Sequence, residues 1–160
     1  MTAFRPATPD DAVALRDLER IASLVALGHV FPPDRHPYPD DDVLARWVLV
    51  LADPGVHVEV VEADTGLVCF VAWDAASVRH LAVHPDHWGR GLAGEAIARA
   101  TAGIAAGGAN RAVLWCLAEN ERARGFYEHL GWRTTGREQV AVWPPHPTEV
   151  EYAVATAPAV

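Results

Sequence analysis

The chain has 160 residues, 51% hydrophobic and 21% charged, with a net charge of −8. That is the length of one domain with a sizeable core, and the composition excludes a disordered chain. The acidic balance argues against a nucleic-acid binder, which needs a basic stripe to displace counterions, and mildly favours a cationic or neutral small partner.

Phe4–Arg5 is a short strand candidate. Thr8, Pro9 and Asp11 form a helix start, with a cap, a proline in the first helical position and an acid three residues after the cap. Val13, Leu15, Leu18, Ile21 and Leu24 carry this helix to about Leu27. A proline-rich loop from Phe31 to Pro39 follows, then a helix from about Asp40 to Ala52. The period then changes to two. Strands are predicted over Val56–Ala63, Leu67–Trp73 and about Val78–Val83, with links short enough for an antiparallel meander.

Helical spacing returns from Gly94 to about Ala106, and Gly107-Gly108 stops it. Arg111–Leu117 is nearly all apolar and is expected to be a central strand. Asn120–Leu130 reads as a helix closed by Gly131. Strands over about Gln139–Trp143 and Val150–Val154 finish the chain. The order β-α-α-β-β-β-α-β-α-β-β predicts an α+β domain with a mixed, mostly antiparallel sheet flanked by helices, one domain over residues 1–160. Cys69 and Cys116 sit in apolar runs and read as buried free thiols. With no apolar segment of roughly 20 residues and no secretory pattern in Met1–Asp11, a cytoplasmic protein with no membrane partner is expected.

The segment Leu81-Ala82-Val83-His84-Pro85-Asp86-His87-Trp88-Gly89-Arg90-Gly91-Leu92-Ala93-Gly94 carries the chemistry. A strand ends, a glycine-rich turn follows and a helix begins. Glycines let backbone N–H groups approach a ligand, and a helix N-terminus adds about half a positive charge, so the turn is suited to a phosphate or pyrophosphate. Gly89-x-Gly91-x-x-Gly94 also fits the dinucleotide fingerprint. However, the preceding strands form a meander, and no acid stands near Val113-Leu114-Trp115-Cys116 to hold a ribose.

Trp88-Gly89-Arg90-Gly91-Leu92-Ala93 resembles the Gln/Arg-x-x-Gly-x-Gly/Ala signature of the GNAT superfamily of N-acetyltransferases, with Trp88 departing at the first position. Asn120-Glu121-Arg122-Ala123-Arg124-Gly125-Phe126-Tyr127 is similar to the family's Asn-x-x-Ala-x-x-Phe-Tyr run, and Phe4–Ala12 resembles a common GNAT opening. The resemblance implies acetyl-CoA as co-substrate and a small-molecule or peptide amine as acceptor, attacked directly. It implies that Leu81, Ala82 and Val83 line the pantetheine arm, and that Gly89, Arg90, Gly91, Leu92, Ala93 and Gly94 hold the pyrophosphate. Asn120 is either a helix cap alone or also a cofactor contact. Arg122 and Arg124 either reach the nucleotide phosphates or form a solvated helix face. Phe126 is expected in the core, leaving Tyr127 to protonate the thiolate as the catalytic residue.

Removing a proton from an amine near pKa 10.4 calls for a base or a water chain. Family members often carry it on the fourth strand. Alternation there puts Ser77, Arg79 and Leu81 on the expected substrate face, and Val78 and His80 on the other. Besides His80, the candidates are Glu59, His57, His36 and Asp40–Asp42, and the sequence does not choose among them. Asp40–Asp42 and Pro144–Pro147 are expected to flank the acceptor pocket, with Trp88 and Trp143 lining it. No metal site is expected from His80, His84 and His87, whose spacing crosses a strand end, a proline and a loop. A homodimer through the C-terminal strands is compatible with this reading. So are two rivals: a non-catalytic CoA-binding module, motivated by Trp88 and the missing base, and a dinucleotide-dependent oxidoreductase.

Overall fold

In the computed structural model, which describes residues 3–156, Thr8 and Asp11 form the expected capping box. Asp11 Oδ2 accepts the Thr8 N–H at 2.8 Å and also pairs with Arg5 at 2.9 Å. Strand β1 (Phe4–Pro6) leads through this turn into α1 (Ala12–Ala26), and α2 (Asp40–Ala52) follows. Then come β2 (His57–Ala63), β3 (Gly66–Trp73), β4 (Val78–Val83) and α3 (Leu92–Ala106). The chain closes with β5 (Arg111–Leu117), α4 (Glu121–His129), β6 (Arg133–Val140) and β7 (Thr148–Ala155).

The strands form two antiparallel sheets, ordered β1-β2-β3-β4 and β5-β7-β6. They meet at one parallel bridge, Ser77 to Val113, and part beyond it. Strand β5 is therefore an edge of its own sheet that becomes central only where the two sheets abut. Helices cover both faces. Val71, Ile97, Ala100, Ile104 and Leu114 belong to the core under α3, with Phe126 of α4 packed against it. Leu15, Val43, Trp47, Val60 and Phe70 form the core under α1 and α2. Each such fully buried side chain contributes about 1.5–3 kcal/mol. Trp47 and Phe70 meet edge to face with ring centroids 4.9 Å apart, which aromatic quadrupoles favour.

Two expectations change. The strand placed at Gln139–Trp143 begins six residues earlier, at Arg133. Arg133-Thr-Thr-Gly-Arg-Glu-Gln139 has no apolar alternation because β6 is an outer strand exposed along almost its whole length. In β4 the ladder to β3 slips: Ala72 faces His80, but Trp73 faces Val78. Arg79 is the extra residue of a bulge. Val78 therefore joins Leu81 and Val83 in the core under α3, and His80 turns to the opposite side, towards α2.

Candidate functional site

The parting of β4 from β5 opens a groove of about 940 Å³, which α1, α2 and the β6–β7 loop wall in at one end. The His84 N–H donates to Val68 O at 2.8 Å. Since antiparallel pairs alternate, the main-chain groups of Leu81 and Val83 point away from β3 and into the groove. Leu81, Ala82 and Val83 all line it. A strand edge without a partner needs hydrogen bonds from elsewhere, and an extended ligand can supply them.

At the end of β4 the chain turns sharply. Gly89 (φ 77°) and Gly91 (φ 83°) occupy the left-handed region, which costs an ordinary residue about 1–2 kcal/mol. Gly91 caps α3, so the helix starts at Leu92 rather than after Gly94. Its first N–H groups are thus presented at the turn. No atom lies within 4 Å of where a Cβ would stand on Gly89, Gly91 or Gly94, so backbone is open to a ligand there. Gly89, Gly91, Leu92, Ala93 and Gly94 line the groove, whereas Arg90 is exposed and does not.

Trp88 closes the turn. Its Nε1 donates to Val83 O at 2.8 Å, and its ring lies under the Arg122 guanidinium, 3.7 Å from the centroid. Both residues line the groove. Asn120 caps α4, its Oδ1 accepting the Ala123 N–H at 3.2 Å, and it lines the groove too. Arg124, expected at the phosphates, turns elsewhere. Its Nε donates to the Tyr152 hydroxyl at 2.9 Å and its NH1 to Ala118 O at 3.2 Å, so it ties α4 to β7 and β5.

Phe126 and Tyr127 both line the groove, correcting the assignment of Phe126 to the core alone. Their rings stand 5.3 Å apart, so each is part core and part wall. The Tyr152 hydroxyl is engaged by Arg124 and Glu128. That of Tyr127 has no side-chain partner among the described residues and is available to the groove. Burial, reinforced by the nearby Cys116, pushes the Tyr127 phenol well above its ordinary range. The Cys116 and Cys69 thiols are free and buried, and burial raises them to about 11 and about 12. Neither is a nucleophile at neutral pH.

The base candidates separate by position. Glu59 is locked to Arg99 by two hydrogen bonds of 2.8 and 2.9 Å, and His57 stacks on Trp73 at 5.5 Å. Asp40 pairs with Arg20 at 2.7 Å at the start of α2. None of these lines the groove, and neither do Asp41 and Asp42; His36 and His80 do. Burial, with Arg46 and Arg79 nearby, lowers the His80 imidazole to about 3. His80 Nε2 is buried without a partner. Trp88, Trp143 and Pro144 line the groove as expected, and Trp115 does so as well. Among the described residues no three His, Cys, Asp or Glu side chains converge as metal ligands, and no helix is long and apolar enough to cross a membrane.

Sequence reasoning missed Glu19, Tyr38 and Arg46. Tyr38 donates to Glu19 at 3.0 Å, and Arg46 pairs with the other oxygen of that carboxylate. One signal was present: Arg46 is the only charge in the apolar run Val43–Leu51.

Residues 18–132 match the acetyltransferase (GNAT) family. The chain belongs to that family, enzymes that take an acetyl group from acetyl-CoA. Solved structures share the fold. An acetyltransferase from Thermus thermophilus aligns with a TM-score of 0.72 at 21% identity over 97% of both chains. The ribosomal-protein-S18-alanine N-acetyltransferase of Escherichia coli gives 0.73 at 16% identity, over 100% of this chain and 97% of that one. A putative acetyltransferase from Salmonella typhimurium, solved with its cofactor acetyl-CoA, gives 0.70 at 17%, over 100% and 96%. No curated protein matches by sequence.

Proposed function

We propose that this protein transfers the acetyl group of acetyl-CoA to the primary amine of a small molecule by direct attack. The observation that carries the reading is a single groove joining an unpaired β4 edge, a positive-φ glycine turn and the free hydroxyl of Tyr127.

The residues present fit acetyl-CoA. Leu81 and Val83 offer main-chain groups to the pantetheine arm. The N–H groups around Gly89, Gly91 and Gly94 and the start of α3 suit the pyrophosphate. Arg122, spread over Trp88, brings to the turn the positive charge that position 88 does not carry. Arg124 has no part in this.

Acetyl-CoA supplies a thioester whose carbonyl carbon accepts the amine and whose sulfur leaves. Tyr127 gives its proton to that sulfur and is reprotonated through solvent by the proton the acetylated nitrogen releases; its raised pKa holds the proton in place at neutral pH until then. The Leu81 N–H polarises the carbonyl oxygen. His80 stays uncharged, and its unpartnered Nε2 accepts a hydrogen bond from an amine N–H. Arg46 and Arg79 beside it disfavour an ammonium, so the site selects the amine in its reactive neutral form. Two buried free thiols suit a reducing, cytoplasmic setting.

Thermal unfolding with and without acetyl-CoA, with NADH as control, tests the reading. Ligand at about 100 times its dissociation constant adds roughly 2.7 kcal/mol, a shift of several degrees. A shift with acetyl-CoA alone supports it; no shift removes it, and a shift with NADH alone restores the oxidoreductase. Thiol release over an amine panel then separates an enzyme from a CoA-binding module.

A further inference from the structure

We infer that the end of the groove away from the glycine turn takes an amine that carries its own carboxylate, a free amino acid with an apolar side chain. This rests on the acetyl-transfer reading above and names the acceptor class for it.

Charge is the first ground. Besides Arg122 over Trp88, three guanidinium groups line the groove: Arg35 after α1, Arg46 on α2 and Arg79 on the β4 bulge. Two carboxylates line it, and both are engaged. Glu19 accepts from Tyr38 at 3.0 Å and from Arg46, and Glu149 accepts from Gln139 at 2.9 Å. Arg35 has no carboxylate partner among the described residues, and the nearest to Arg79, on Asp74, stands 4.0 Å away. The chain is acidic as a whole, but its acids lie elsewhere, and this wall has an excess of cationic groups.

Unsatisfied buried polar atoms are the second ground. Arg46 spends its NH2 on Glu19, and its Nε is buried with no partner. His80 Nε2, the acceptor of the mechanism above, is also buried without a partner. The two side chains flank Trp47, whose ring centroid is 5.2 Å from the Arg46 Cζ and 5.1 Å from the His80 ring. A buried donor without an acceptor is destabilising, and a carboxylate relieves it with a charge-assisted bond to the guanidinium. The amine of the same molecule is then within a few bonds of the imidazole. Much of the remaining lining of the groove is apolar, Leu24, Leu27, Phe31 and Trp143 among it, and suits an apolar side chain. A polyamine meets more guanidinium groups than carboxylates there, and like charge disfavours it.

The test uses titration calorimetry on the full chain with saturating CoA, with L-leucine, L-methionine and L-phenylalanine each set against its carboxamide, and with spermidine. Each pair shares side chain and amine and differs in the anion. The amide's amine also loses its proton more readily, so a preference for the acid arises despite that advantage. At least one acid is expected to bind about tenfold or more tighter than its amide and than spermidine, a difference of about 1.4 kcal/mol or more. Arg46→Gln should reduce this preference. Arg35→Gln, which leaves Glu19 held, should weaken the acid about threefold or more and leave the amide unchanged. An amide or spermidine binding as tightly as the acid overturns the proposal, and so does a panel in which no acid binds. Failure of CoA itself to bind removes the acetyl-transfer reading, and this inference with it.

Discussion

The two ends of the groove are made of different material. At the glycine turn the chain offers main-chain groups: the Leu81 and Val83 edge, two residues with positive φ, and the first N–H groups of α3. At the far end it offers side chains drawn from five places: Glu19 on α1, Tyr38 on the loop, Arg46 on α2, His80 on β4 and Trp143 beyond β6. In the proposed reading, main-chain donors recognise what every acyl-CoA has in common. Side chains can change one at a time without disturbing the fold, so they are where one acceptor is told from another. Tyr127 lines the same groove, and its loss should separate chemistry from both kinds of binding. Tyr127→Phe should lower kcat by about a hundredfold, within the range for a single proton donor. CoA affinity by calorimetry should stay within about twofold; an unchanged kcat would leave Tyr127 as a wall residue only.

The side-chain end should also be the pH-sensitive end. The His80 imidazole is lowered to about 3 on folding, so below about 6.5 the unfolded chain binds a proton that the folded chain refuses. This contribution to stability is present above about 6.5 and is lost as pH falls towards 3. Arg46 on α2 and Arg79 on β4 oppose the proton, while Glu19 is occupied by Arg46 and Tyr38. Unfolding in urea between pH 4 and 6.5 should therefore show a slope up to about 1.4 kcal/mol per pH unit larger in the wild type than in His80→Asn. Parallel slopes would mean that His80 is protonated in the fold. Subtracting the variant removes the acid sensitivity of Asp11, whose carboxyl the Arg5 hydrogen bond holds low in both proteins.

The turn end should respond to backbone changes instead. Gly91→Ala meets no atom within 4 Å, but it keeps φ at 83° only at a cost of about 1–2 kcal/mol, and its methyl stands in open space in the groove. CoA affinity should fall about tenfold, with acceptor discrimination unchanged. Equal CoA affinity would show that the turn is a structural corner and that the main-chain cradle lies elsewhere.

The same contrast explains what was legible in the sequence. Glycines, a helix cap and the Asn120 run act through residues near one another in the chain, so motif spacing located the turn and α4, and period located nearly every element. The far end depends on pairs such as Glu19 with Arg46 and Tyr38 with Glu19, which only the packing of α1 on α2 creates. Strand parity failed for Val78, which shares a face with Leu81 and not with His80, for a related reason. The Arg79 bulge belongs to the pairing of β3 with β4, and alternation counted along one strand cannot register an extra residue. Arg124 was misplaced because both arginines near the start of α4 matched the same expectation. The Tyr152 hydroxyl, 28 residues away, and Ala118 O distinguish the one that is held inside.

That distinction gives the smallest and most specific test. Arg122 lies flat over Trp88, 3.7 Å from the centroid, and the indole N–H is fixed on Val83 O. The ring orients the guanidinium and keeps its charge beside the turn. Such a cation–π contact is worth about 0.5–1 kcal/mol at an exposed site. Arg122→Gln should weaken CoA binding about three- to fivefold, and the salt dependence of that binding should become shallower because one exposed charge fewer is screened. Trp88→Leu should give a similar loss by releasing the arginine, and the two changes together should cost less than their sum. Arg124→Gln should instead lower thermal stability and leave CoA affinity unchanged. If Arg124→Gln weakens CoA and Arg122→Gln does not, the two arginines have exchanged roles and the Trp88 platform carries no phosphate charge.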